Sequence, residues 1–213
     1  MRWVARCGMA GVWAVAAGSH AAPAELIQQN LQHCAGDAAC LSAAEAQALR
    51  EVPGLVRREG ASLTLQFGLH PPARFEDQPG LTHTYLGRLD GVLLHVVRAG
   101  SPNALWLVGE SGQPPLKVEA VPVPAPGGRQ FVVVQGNALA LYQRSGPRWS
   151  LQFRYDAPAG LAWRLRSWRP DAAALRLDWI CSGQATGGTL QLRDGPYGWD
   201  LVRGLWVGWW GGQ

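Results

Sequence analysis

Leu93-Leu94-His95-Val96-Val97, Ala104-Leu105-Trp106-Leu107-Val108, Phe131-Val132-Val133-Val134, Ala138-Leu139-Ala140-Leu141-Tyr142 and Trp149-Ser150-Leu151-Gln152-Phe153 decide the fold. Each run is rich in β-branched or aromatic residues and is bounded by Gly, Pro, Asn or Ser, the pattern of short strands cut by turns. Between them stand Leu89-Asp90-Gly91, Gly109-Glu110-Ser111-Gly112, Gly127-Gly128, Gly136-Asn137 and Ser145-Gly146-Pro147. These are tight-turn sequences, which join neighbouring strands into an antiparallel meander. No helix-period segment long enough for a crossover interrupts residues 85–155, which argues against a parallel sheet. The expected fold is mainly β, a single antiparallel meander domain, open and propeller-like or sandwich-like, preceded by a short helical hairpin.

Outward from this stretch, residues 1–21 read as a signal peptide. Arg2 and Arg6 open it, residues 8–18 form an apolar run too short to span a bilayer, and Ser19-His20-Ala21 supplies small residues at the cleavage site. Cys7 precedes the apolar run and follows Arg6, unlike a lipoprotein cysteine. The expected product is a periplasmic or secreted chain starting near Ala22. No later apolar stretch approaches the ~20 residues of a membrane span.

Removing Arg2 and Arg6 takes the basic count from 19 to 17 against 15 acids, a formal charge of about +2. That is too small to argue for nucleic acid. Lys117 is the only lysine, an arginine bias that goes with the abundance of Ala, Gly and Pro.

Cys34, Cys40 and Cys181 survive cleavage. In an oxidising compartment the close pair Cys34 and Cys40 suits a bridge across the turn between two helices, which leaves Cys181 over. A competing pairing joins Cys181 to one of the first two. Residues 22–60 form the helical segment. Leu26, Ile27 and Leu31 share one helical face, and Ser42-Ala43-Ala44-Glu45 is a capping-box pattern opening a second helix that ends before Val52-Pro53-Gly54. The β domain is expected over 61–203, with residues 68–81 as its longest irregular loop. Residues 204–213 form a Gly/Trp-rich tail holding three of the 11 tryptophans.

A weak internal repeat links Asp90-Gly91-Val92-Leu93-Leu94-His95-Val96-Val97 to Gly127-Gly128-Arg129-Gln130-Phe131-Val132-Val133-Val134, and both to Pro170-Asp171 followed by Leu175-Arg176-Leu177-Asp178-Trp179. The offsets, 37 and 44 residues from turn to turn, approach the length of a four-stranded propeller blade. On these residues, and on Val121-Pro122-Val123-Pro124-Ala125-Pro126 before Gly127, the chain resembles exported bacterial β-meander proteins with Tol-type propeller-like repeats. The likeness covers residues 61–179, rests on turns and core positions, and implies a fold but no catalytic residue. Three repeats fall short of a closed propeller.

Chemistry is sparse. The histidines lack metal-ligand spacing, and no phosphate loop, dinucleotide fingerprint or zinc cysteine pair is present. No cofactor is implied. His95, between Leu94 and Val96, reads as a core histidine. Ser111 misses the nucleophile-elbow spacing. Asp77, Asp90, Glu110 and Glu119 are the carboxylates from which a hydrolase pair would be assembled in space.

The arginine and aromatic pattern stands out instead. Alternation sets Trp149, Leu151, Phe153 and Tyr155 against Arg148 and Arg154, then Trp163 and Leu165 against Arg164 and Arg166, then Leu175 and Leu177 against Arg176. If these strands are neighbours, Arg154, Arg164, Arg166, Arg176 and Arg193 share a solvent face, with Trp168 and Gln191 near it. The expected function is a non-enzymatic module in which this face binds an acidic protein or an anionic envelope polymer, since guanidinium forks suit carboxylates and phosphates. The alternatives are a merely solvated face, an envelope-associated hydrolase using loop carboxylates, or a glycan-binding protein using exposed tryptophans.

Overall fold

The structure, a computed structural model, describes residues 23–100, 104–168, 174–181, 187–196 and 198–203. The expected leader at 1–21 and the tail at 204–213 lie outside them, as does the Cys181 side chain.

Helix α1 (Pro23–Cys34) buries Ile27 and Cys34 and exposes its glutamines. Helix α2 (Ala38–Glu51) starts five residues earlier than its capping-box pattern suggests. Asp37 is the N-cap: its carboxylate accepts from the Ala39 and Cys40 amides at 2.9 and 3.2 Å, answering two of the unpaired donors of the first turn. Ser42 therefore lies inside the helix, and Glu45 turns to other partners described below. The Cys34–Cys40 disulfide ties the two helices, with Cα atoms 5.3 Å apart. Closing so small a loop is worth about 2 kcal/mol of chain entropy. Cys34→Ser with Cys40→Ser is accordingly expected to lower stability by about that amount, read as a shift in the urea midpoint. No helix among the described residues is long and apolar enough to cross a membrane.

Among the described residues fifteen strands follow in four antiparallel sheets, and in every sheet the spatial order is the chain order. The first holds β1 (Val56–Glu59), β2 (Ser62–Leu65) and β3 (Ala73–Glu76). The second holds β4 (His83–Leu89), β5 (Leu94–Ala99), β6 (Leu105–Gly109) and β7 (Leu116–Val118). The third holds β8 (Val123–Pro124), β9 (Gln130–Gln135), β10 (Ala138–Ser145) and β11 (Arg148–Asp156). The fourth holds β12 (Leu161–Trp168), β13 (Ala174–Cys181), β14 (Gly187–Gly195) and β15 (Gly198–Arg203).

Two elements differ from the sequence expectation. Strand structure begins at Val56 rather than Ala61, because Gly60-Ala61 is the two-residue turn that pairs Glu59 with Ser62. The loop at 68–81 contains β3, where Ala73 and Phe75 pack on the core while Arg74 and Glu76 face solvent, an alternation masked by the flanking prolines.

The sheets stack in series. Val56, Leu63 and Leu65 of the first meet Tyr85 and Val97 of the second. Leu94, Val96 and Leu107 of the second meet Phe131, Val133 and Trp149 of the third. Val132, Leu139 and Leu141 of the third meet Leu175, Leu177 and Leu192 of the fourth. Strands β5 and β9 are thus covered on both sides, which is why they read as unbroken apolar runs rather than as alternation. The internal repeat is the second strand of each four-stranded sheet, β5, β9 and β13, with the turns that precede β5 and β9; Pro170-Asp171 lie outside the described residues. Gly91 and Gly128, from equivalent turns, touch: a Cβ built on Gly128 would lie 1.8 Å from the Gly91 carbonyl oxygen.

Candidate functional site

The fourth sheet presents the arginines. Arg164 stands opposite Asp178, Ser167 opposite Arg176, and Arg176 opposite Gln191. Cross-strand partners share a face, so Arg164, Arg176 and, two residues along from Gln191, Arg193 all lie on the side away from the core that Leu175 and Leu177 fill. All three are exposed, and Arg193 Nη2 donates to Gln191 Oε1 at 2.6 Å. Arg154 does not join them. It sits on β11 in the third sheet, beyond the break at residues 157–160, and donates through Nε and Nη2 to the Asp156 carboxylate at 3.0 and 3.3 Å. That hydrogen bond holds the Arg154 pKa above its ordinary value.

Between Leu165 and Ser167 the pairing register shifts, and Arg166 is the inserted residue. Its side chain lies outside the described ones. The bulge reverses the alternation beyond it. Ser167 takes the arginine face, and Trp168, opposite Leu175, turns to the apolar side, where it packs against the core.

That turn places Trp168 in a cleft of about 940 Å³ between α1 and β12. Gln28, Gln29 and Gln32 line it from the helix, Trp163, Arg164 and Trp168 from the strand. Asp90, in the turn between β4 and β5, and Glu25 add carboxylates, and Val121, Val123 and Pro124 add apolar wall. Trp163 is buried and its indole N–H donates to the Asn137 carbonyl at 2.9 Å, which anchors the strand; Trp168 is half-buried. The glutamine wall was legible only as the polar side of α1 opposite Ile27. Nothing in the sequence placed that side against β12.

His95 is a core histidine as expected, and it belongs to a polar chain that spacing did not reveal. It is fully buried beside the Phe67 ring, 4.5 Å between centroids. The buried Tyr85 hydroxyl lies 2.8 Å from Nδ1, and Glu110 Oε1 lies 3.2 Å from Nε2. The neutral phenol donates to Nδ1, so the imidazole proton is assigned to Nε2, facing the carboxylate. Arg88 Nε is 3.0 Å from the same oxygen but makes no hydrogen bond, so its contact with Glu110 is one of charge. Burial is the main reason that the His95 pKa falls below its usual value, against the pull of Glu110; burial likewise pushes the Tyr85 pKa up.

A second polar cluster joins the helices to the sheets. Arg58 bridges Glu45, at 2.9 and 3.3 Å, and Asp77, at 3.1 Å, and also donates to the His83 carbonyl. Asp77 accepts from the His83 amide at 2.6 Å, and Glu45 accepts from the Tyr85 amide at 2.7 Å. Of the four carboxylates considered for hydrolysis, Asp77 and Glu110 are thus engaged in separate structural clusters. Asp90 lies in the cleft, and Glu119 lines a depression beside Arg154. Ser111 Oγ donates to the Pro147 carbonyl at 2.6 Å, as befits a turn residue. Among the described residues no three His, Cys, Asp or Glu side chains gather as a metal site.

No family model matches the chain, and no curated protein or solved structure is significantly similar to it.

Proposed function

We propose that the protein is an exported, non-enzymatic binding module that recognises an acidic protein or an anionic envelope polymer through the fourth sheet. The observation that carries this reading is the convergence of exposed Arg164, Arg176 and Arg193 on one sheet face. Like charges side by side on a sheet are unfavourable in isolation, and an anionic partner relieves the repulsion. Asp178 stands opposite Arg164 and Asp200 opposite Arg193, so Arg176, opposite Ser167 and Gln191, is the arginine of this face with no carboxylate across from it. The expected leader at residues 1–21 supports a periplasmic or secreted location.

Two defined probes test the reading: a polyglutamate peptide and polygalacturonate, titrated against the wild type and the Arg164→Ala/Arg176→Ala double variant. The wild type is expected to bind at least one of them. Binding should weaken about tenfold in the variant and also when salt rises from about 0.05 to 0.5 M, because exposed charges are screened over a few ångströms at high ionic strength. Equal binding by both proteins, or none by either, overturns the assignment.

A further inference from the structure

We propose that the cleft between α1 and β12 binds a neutral oligosaccharide chain. This site is separate from the arginine face, although Arg164 borders both. Its volume, about 940 Å³, lies at the upper end of ordinary ligand sites, room for several sugar units rather than one.

The lining specifies the class. Gln28, Gln29 and Gln32 offer three primary amides, each with donor and acceptor atoms side by side, and a pair of neighbouring sugar hydroxyls also presents one donor and one acceptor. Glu25 and Asp90 add acceptors for further hydroxyls. Trp168 supplies a flat apolar ring edged by polar groups, suited to the C–H face of a pyranose. An apolar ligand would leave the amides and carboxylates without partners on desolvation, which is costly.

Charge excludes the ligand class assigned to the neighbouring face. The cleft carries two carboxylates against one described guanidinium, so a polyanion is repelled where a neutral chain is not. An extended peptide is disfavoured for a different reason. Strand addition needs a free backbone edge, and the first half of β12 is taken: the Trp163 amide donates to the Gly136 carbonyl at 2.7 Å and the Leu161 amide to that of Pro158 at 3.2 Å. The helical wall is fixed before any ligand arrives, because α1 is held by buried Ile27 and by the disulfide to α2. Such preorganisation favours weak, polar ligands.

Isothermal titration of the full chain with three neutral hexasaccharides decides the matter: an α-1,4-glucan, a β-1,4-glucan and a β-1,4-linked N-acetylglucosamine hexamer. At least one is expected to bind saturably with a Kd below about 1 mM. Trp168→Ala and the double variant Gln29→Ala/Gln32→Ala should each weaken that binding about tenfold or more, while Arg176→Ala leaves it unchanged. Trp168 also packs on the core, so its variant is checked by thermal melting. The glutamines lie on the exposed side of the helix and report on the site without disturbing that core. Absence of binding by all three sugars up to about 10 mM, or binding that the glutamine variant leaves intact, overturns the proposal. Polyglutamate titrated in parallel scores the arginine face on its own, so either site can fail without the other.

Discussion

Gly128→Ala is expected to cost about 3 kcal/mol or more, enough to shift the melting midpoint by ten degrees or so in a domain of this size. Two penalties combine. Gly128 has φ +67°, a left-handed conformation that an L side chain enters at about 1–2 kcal/mol. The new Cβ would also lie 1.8 Å from the Gly91 carbonyl oxygen and 2.7 Å from its carbon. Both are backbone atoms of the equivalent turn in the preceding sheet, so no rotamer change clears them. The second and third sheets must separate, and the core they share through Leu94, Val96, Phe131 and Val133 loosens with them. Gly127→Ala is the control: its φ is +82°, but nothing lies within 4 Å of its Cβ, so it pays strain alone. Thermal melts of the two variants should differ clearly. Coincident melts would mean that the turns are not in contact.

These two glycines also show what the sequence could and could not convey. The turn chemistry around Gly91 and Gly127-Gly128 was readable because a tight turn needs residues tolerant of positive φ, and the repeat it punctuates is the second strand of three successive sheets. That the turns touch was not readable, since contact between them depends on how the sheets stack. The same division holds for strands. β5 and β9 are apolar on both faces and stood out, whereas β1 has a single buried apolar residue and β3 hides between prolines. The run from 85 to 155 looked like one meander and is two sheets, because proline-rich residues 121–126 hold only the two-residue strand β8 and begin a new sheet there.

The candidate site was legible in type but not in phase. Alternation correctly opposed Arg164 to Trp163 and Leu165, and Arg176 to Leu175 and Leu177. It failed at Arg166, where one inserted residue in β12 reverses the pattern and carries Trp168 from the arginine side to the cleft. Arg154 was grouped with the others by its pattern alone. Strand partition sends it to a different sheet, where Asp156 two residues away holds its guanidinium. Glu45 was read as half of a capping box. With Asp37 taking the cap, its carboxylate binds Arg58 and the Tyr85 amide, joining α2 to β1 and β4.

Acidification should remove stability through His95. Its folded-state pKa lies below the value near 6.5 of an unfolded histidine, because burial penalises the imidazolium more than Glu110 favours it. Above that unfolded value both states are neutral at this residue and its contribution is intact. As pH falls through 6.5 the unfolded chain takes up a proton that the folded chain refuses, and stability declines by up to about 1.4 kcal/mol per pH unit until the folded pKa is reached. Geometry reinforces the penalty. A protonated Nδ1 would confront the Tyr85 hydroxyl proton at 2.8 Å, and Tyr85 keeps that proton because burial pushes its own pKa up. The other charged groups acting on the chain are Arg88, which opposes protonation, Glu110, which favours it, and Glu51, which raises the Tyr85 pKa further. His95→Gln is the informative variant, since an amide can still accept from Tyr85 but does not titrate. Urea midpoints measured from pH 8 to pH 5 should fall more steeply for the wild type than for His95→Gln, with the divergence beginning near pH 6.5. Parallel curves would show that the buried imidazole is not the group that senses acid. Tyr85→Phe tests the contact from the other side. It leaves Nδ1 buried without a donor and should cost about 1–3 kcal/mol at pH 8, where protonation plays no part.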